Sequence, residues 1–109
     1  MAESTLFEQV KRKLNVTWDD PDTNSRIQEI IDSGIPEMIH ILGIPDENYD
    51  FSTPGMENAL FKNYCLYEWN HCLQDFEKNY ANNIAHVQAK YDVKHYQKTA
   101  EETGNEENI

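Results

Sequence analysis

LNVTWDDPDTNSRIQEIID, residues 14 to 32, changes character partway along, from turn-forming residues to helical spacing. Asp20 is a good N-cap, because a carboxylate oxygen can accept from the orphaned N–H groups of a first helical turn. Pro21 follows at the first helical position, where its missing N–H costs nothing. Asp19 and Asp22 place further negative charge at the positive end of the helix dipole. From there Ile27, Ile30, Ile31, Ile35, Met38 and Leu42 trace one apolar stripe. Gln28, Glu29, Asp32, Ser33, Pro36, Glu37 and His40 fall on the opposite face. Trp18, Asp19, Asp20, Pro21 and Asp22 therefore form a helix-start motif. Pro36 removes one hydrogen bond, yet the stripe keeps its register through it, which predicts a kinked helix convex toward solvent. Gly43 is placed to end that helix.

A shorter helix precedes this one, from about Thr5 to Leu14. Thr5 and Glu8 have the capping-box spacing, and Leu6, Val10 and Leu14 share a face. Residues 44–55, IPDENYDFSTPG, read as a loop with turns. A long, central third helix is predicted from about Pro54 to Tyr80, with apolar residues on more than one face. The pattern weakens around residues 79–83, and a final helix is predicted from about Asn82 to Tyr91, extending toward Tyr96. The expected fold is all-α: a small bundle of three to four helices, forming one helical domain over 1–96. Residues 97–109 are expected to be a flexible, disordered acidic tail.

The chain has 109 residues and a formal net charge of −11, from 20 acidic and 9 basic residues. Non-specific DNA binding depends on cations that neutralise phosphates, so this balance argues against a DNA-binding module. The basic cluster Lys11-Arg12-Lys13 sits where a helix C-terminus favours positive charge. Cys65 and Cys72 on one helix would lie ~10 Å apart. A disulfide needs Cα atoms within ~7 Å, so no bridge between them is expected and a reducing setting suits them. No apolar run approaches the ~20 residues needed to span a bilayer. The opening MAESTLFEQV shows no basic region followed by an apolar one, so no secretory signal is expected.

Motifs for chemistry are missing from the sequence. Asp20, Asp22 and Asn24 alternate like the start of a calcium loop, but Ser25 and Ile31 stand where that loop needs Gly and a bidentate Glu. Cys65, His71 and Cys72 lack the spacing of a zinc site, because His71 and Cys72 are adjacent and point about 100° apart on a helix. His40, His86 and His95 are isolated and read as surface residues. No nucleophile motif and no glycine-rich phosphate loop occurs. No catalytic, cofactor-binding or metal site is expected, and the chain reads as a binding or structural protein, not an enzyme.

One resemblance adds to this. Thr17-Trp18-Asp19-Asp20, Asp22-Thr23, Arg26-Ile27, Ile30-Ile31 and Gly34, in that order, resemble the N-terminal half of the head–tail connector (head completion, adaptor) family of tailed bacteriophages. Tyr64-Cys65-Leu66-Tyr67, Asn70 and the run Asp75-Phe76-Glu77-Lys78-Asn79-Tyr80 are similar to that family's central helix and the segment after it. The resemblance covers roughly residues 5 to 91. Pro36 departs from the family's uninterrupted helix, and the acidic tail has no counterpart.

The resemblance implies a structural protein of the virion, at the head–tail interface after assembly in the host cytoplasm. Such a connector forms a ring, expected to be twelve-fold, beneath the portal protein after DNA packaging. It extends the channel through which genomic DNA passes without sequence-specific binding, and presents a surface to the next head–tail joining (stopper) protein. No cofactor and no membrane are implied. Two segments are expected to make contacts: Asp46, Glu47 and Asp50 toward the channel or the tail side, and Ile84, Val87, Tyr91 and Tyr96 toward the portal. The alternative is an acidic DNA mimic that inhibits a basic nucleic-acid-binding protein.

Overall fold

A computed structural model of the chain describes residues 5–92. These residues are all-helical, with no strand among them. Helix α1 spans Leu6–Lys13, α2 Pro21–Leu42, α3 Met56–Trp69 and α4 Phe76–Asn79, with a 3-10 turn at Leu73–Asp75 before α4. A further helix, α5, occupies residues 81–92. The expected extension toward Tyr96 and the acidic tail lie outside the described residues.

Local chemistry places the first two helices. Thr5 caps α1 by accepting from the Glu8 N–H at 3.1 Å. Asp20 caps α2 by accepting from the Thr23 N–H at 2.9 Å, with Pro21 in the first position as its sequence demands. Three helices end the same way. Asn15, Gly43 and His71 adopt left-handed backbone with φ of 62°, 68° and 60°. The next residue in each case, Val16, Ile44 or Cys72, then donates its N–H back to a carbonyl of the last turn, at 2.9–3.1 Å. This closure satisfies carbonyls that a helix end leaves without donors. Val16 and Ile44 are buried, so each stop also turns an apolar side chain into the core.

Helix α2 runs unbroken through Pro36, whose side is exposed along with Asp32, Ser33, Glu37 and His40. The Asp32 carbonyl, deprived of its usual donor, belongs to this solvent-facing row. On the other face Ile27, Ile30, Ile31, Met38 and Leu42 are buried.

The third helix differs from its sequence reading. It ends at Trp69, not near Tyr80, and α2 is the longer of the two. Asn70 and His71 stop it: the left-handed His71 reverses the chain, and the remainder of the expected helix becomes the 3-10 turn and α4. The aromatic residues counted as one helix then meet from two directions. Phe76 packs edge-on against Tyr64 at 5.6 Å and against Tyr67 at 5.8 Å between ring centroids.

Helix α3 is central in its packing, against α1, α2 and α4. A series of ring contacts crosses the core: Tyr49 on Phe51 at 5.0 Å, Phe51 stacked on Phe61 at 4.7 Å, Phe61 beside Tyr64 at 6.4 Å, and Tyr64 on Phe76. Gly34 of α2 lies against the middle of this series. A Cβ there would stand 2.9 Å from Tyr64 Cε1 and 3.4 Å from Phe61 Cε1. Phe61 is fully buried, and Tyr64 is nearly so and packs edge-on against Phe76, so the Tyr64 ring cannot shift without disturbing that contact. Gly34→Ala is therefore expected to lose about 1–3 kcal/mol by overpacking, despite alanine's better helix propensity. Urea denaturation followed by circular dichroism checks this; a neutral or stabilised variant would show that α2 and α3 are not in contact at Gly34.

Candidate functional site

The helix-start motif and the two expected contact segments lie in three places. The helix-start motif forms a small polar network. Asp20 accepts from Thr23 Oγ1 at 3.0 Å, and Thr23 Oγ1 accepts from Trp18 Nε1 at 3.2 Å. Asp19 accepts from Asn24 Nδ2 at 2.7 Å and lies 3.8 Å from Lys11 Nζ. Trp18 is 52% exposed, so this network fixes a large aromatic ring at the surface. Hydrogen bonds from the Thr23 backbone and hydroxyl hold the Asp20 carboxyl below its ordinary value. Asp22 is exposed in the first turn of α2.

In the 44–55 loop, Asp46, Glu47 and Asp50 are all exposed. Two of them also shape the loop. Asp46 accepts from the Asn48 N–H at 2.9 Å, and Asp50 accepts from the Ser52 N–H at 2.9 Å and Ser52 Oγ at 2.6 Å. The Ser52 bonds hold the Asp50 carboxyl below its ordinary value. Such turns are a common use of aspartate.

Helix α5 divides the remaining residues. Ile84 and Val87 are buried and seal the helix to the core, while Tyr91 is half-buried. Tyr96 lies outside the described residues. The expected residues are not gathered into one site, although Tyr49 of the loop meets Tyr91 of α5 through their hydroxyls.

The most concentrated polar chemistry lies where the sequence gives no warning. Glu57 in the first turn of α3 is only 4% exposed. Its carboxylate accepts from Lys90 Nζ at 2.6 Å and from the Tyr91 hydroxyl at 2.5 Å, both from α5. Burial on its own would raise the Glu57 carboxyl, but the bonds from Lys90 and Tyr91 outweigh it and hold the group below its ordinary 4.5. The Tyr91 phenol moves up, through burial first and then through the bond to Glu57. Gln88 adds a bond from its Nε2 to the Ile41 carbonyl at 2.7 Å. Glu57 is thus a clasp that ties α5 to α3. A neighbouring buried amide, Asn58, donates to Gln9 Oε1 and to the Phe51 carbonyl, both at 2.7 Å, and so joins α1, the loop and α3.

Arg26 makes the equivalent tie at the other end of α3. Its guanidinium donates to the Trp69 carbonyl at 2.8 Å and stacks over the Trp69 ring at 4.2 Å. A cation at a helix C-terminus is favoured by the dipole, and the ring adds a cation–π contact. Glu57 and Arg26 escape sequence reasoning because their partners stand 33 and 43 residues away. A glutamate in a first helical turn looks like ordinary dipole compensation.

No group of histidine, cysteine and carboxylate side chains fit for a metal ion occurs among the described residues. Cys65 and Cys72 are free thiols, and burial pushes the Cys65 thiol up to about 12, which removes its nucleophilic form at neutral pH. No helix among the described residues is long and apolar enough to cross a membrane. Comparison of the chain with protein-family models, curated proteins and solved structures gives no match.

The clasp has a signed pH dependence. A carboxyl held low in the folded state adds stability above its unfolded value, and that contribution is lost as pH falls through the folded value. The tie to α5 should therefore weaken below about pH 4.5. Glu57→Gln is expected to cost about 1–3 kcal/mol at pH 7, since it removes a buried hydrogen-bonded charge facing a half-exposed lysine. Hydrogen exchange should show α5 amides losing protection ahead of those in α2. Equal protection in variant and parent would refute the clasp.

Proposed function

We propose that this protein is a structural head–tail connector of a tailed bacteriophage, a ring-forming adaptor between the portal and the next joining protein. The observation that carries this reading is how the two separated runs of family-like residues meet. Gly34 of the first run admits Tyr64 of the second. Tyr64 and Tyr67 receive Phe76, and Asn79 donates to the Tyr67 hydroxyl at 2.9 Å. In the first run, Trp18, Asp20 and Thr23 form one network. The residues that carry the resemblance are thus the ones that make the α2–α3–α4 unit, rather than unrelated surface positions.

The surface suits a scaffold lying beside packaged DNA. An acidic wall repels phosphate and offers few cations for adhesion, so DNA can slide past it. Trp18 supplies a fixed aromatic contact of the kind that dominates protein interfaces.

The test is co-sedimentation of the protein with the portal ring of the same genome, with mass measured across the complex peak. A saturable complex near one copy per portal subunit is expected. Failure to bind, under conditions where the protein is folded, would remove the connector reading. Competition with DNA for a basic partner would then support the DNA-mimic alternative. Within the loop, Glu47→Lys is the cleaner charge reversal, because Asp46 and Asp50 also hold turns. If the loop lines the channel, virions assembled with Glu47→Lys should eject DNA more slowly; unchanged ejection kinetics would place the loop elsewhere.

A further inference from the structure

A groove runs between the second half of α2 and the α4–α5 segment. Its deeper part, about 210 Å³, has Ile41, Leu73 and Phe76 as apolar lining, the Tyr64 side chain within it, and Glu37 and Glu77 beside them. A second depression shares Ile41 and Glu77 and continues past His40, Ala81 and Ile84. Glu37 comes from α2 and Glu77 from α4, so the carboxylates approach from different elements. Neither glutamate pairs with a lysine or arginine among the described residues. Among the described residues, no lysine or arginine lines either depression. The Tyr64 phenol is pushed up to about 12, by burial first and then by the negative charge of Glu37 and Glu68.

These features select an occupant by its chemistry. The deep part, about 210 Å³, fits a single side chain, and the shallower continuation, about 380 Å³, lengthens the groove to suit a chain segment. Acidic walls exclude nucleic acid and anionic ligands. An apolar lining with carboxylates beside it matches a lysine or arginine stem with its charged head, next to an aliphatic anchor. We propose that this groove docks a basic amphipathic segment of a partner protein, with an aliphatic side chain against Ile41 and Leu73, above the buried Phe76, and a cationic one between Glu37 and Glu77. The assignment rests on the groove alone and does not depend on the connector reading.

The test is a nuclear magnetic resonance titration of the full chain with two synthetic 14-residue peptides of equal positive charge. One carries leucine and lysine at helical spacing; in the other, serine replaces each leucine. The leucine peptide should give saturable shifts centred on Ile41, Leu73, Phe76 and Glu77. Glu37→Gln/Glu77→Gln should weaken it about tenfold, as should the change to serine, with the melting temperature checking that the variant folds. Equal binding of both peptides, an unaffected double variant, or shifts centred on Asp19–Asp22 or residues 46–50 would reduce the effect to general attraction to a −11 chain and overturn the proposal. Self-association that the double variant abolishes would assign the groove to a second copy and likewise overturn it.

Discussion

The crossing of α2 and α3 at Gly34 sets the spacing of everything else. With no side chain there, the Tyr64 ring comes to the α2 backbone closer than a Cβ would permit, with the Phe61 ring beside it at ordinary contact distance. Once they are seated, Phe51 stacks on one side and brings the 44–55 loop down, while Phe76 meets the other side and brings α4 back across α3. Aromatic pairs of this kind add about 0.5–1.5 kcal/mol each beyond the area they bury. Their larger consequence is geometric: loop, central helix and return segment share one run of rings. A glycine in mid-helix costs about 1 kcal/mol against alanine, a cost the close approach offsets.

Polar ties then lock the outer elements onto this crossing. Arg26 closes the C-terminal end of α3, Asn58 joins α1 and the loop near its start, and Glu57 fastens α5. The acidic residues are thus unequal. Asp20, Asp46 and Asp50 shape caps and turns, Glu57 is a buried clasp, and Glu37, Glu47 and Glu77 remain without a cation among the described residues. The last group is available to meet a partner.

Helix α2 was legible to within a residue at each end because its signals are local. Asp20 and Pro21 start it, Gly43 ends it, and the isoleucine spacing assigns its faces even across Pro36. Helix α1 was equally plain from Thr5, Glu8 and the spacing of Leu6, Val10 and Leu14. The over-long α3 has a physical cause. Its stop is built from Asn70 and His71, and His71 reaches left-handed backbone without being a glycine, so the apolar pattern seemed to run on. Cys65 and Cys72 are free thiols, but the spacing argument assumed one helix, and Cys72 lies beyond the end of α3. The clasp was illegible because Glu57 and Lys90 are ordinary surface residue types, brought together only by tertiary packing. The segment proposed to face the portal was visible as a helix, but its periodicity could not show that Ile84 and Val87 turn inward to this chain's own core.

The central claim is that the α2–α3–α4 unit serves as the repeating piece of a connector. Electron cryomicroscopy of the portal vertex incubated with the protein tests this most directly. The account predicts a ring of density coaxial with the portal, into each repeat of which the α2–α3–α4 unit fits. Protein bound off the axis, or a portal vertex left bare at saturating protein, would contradict it.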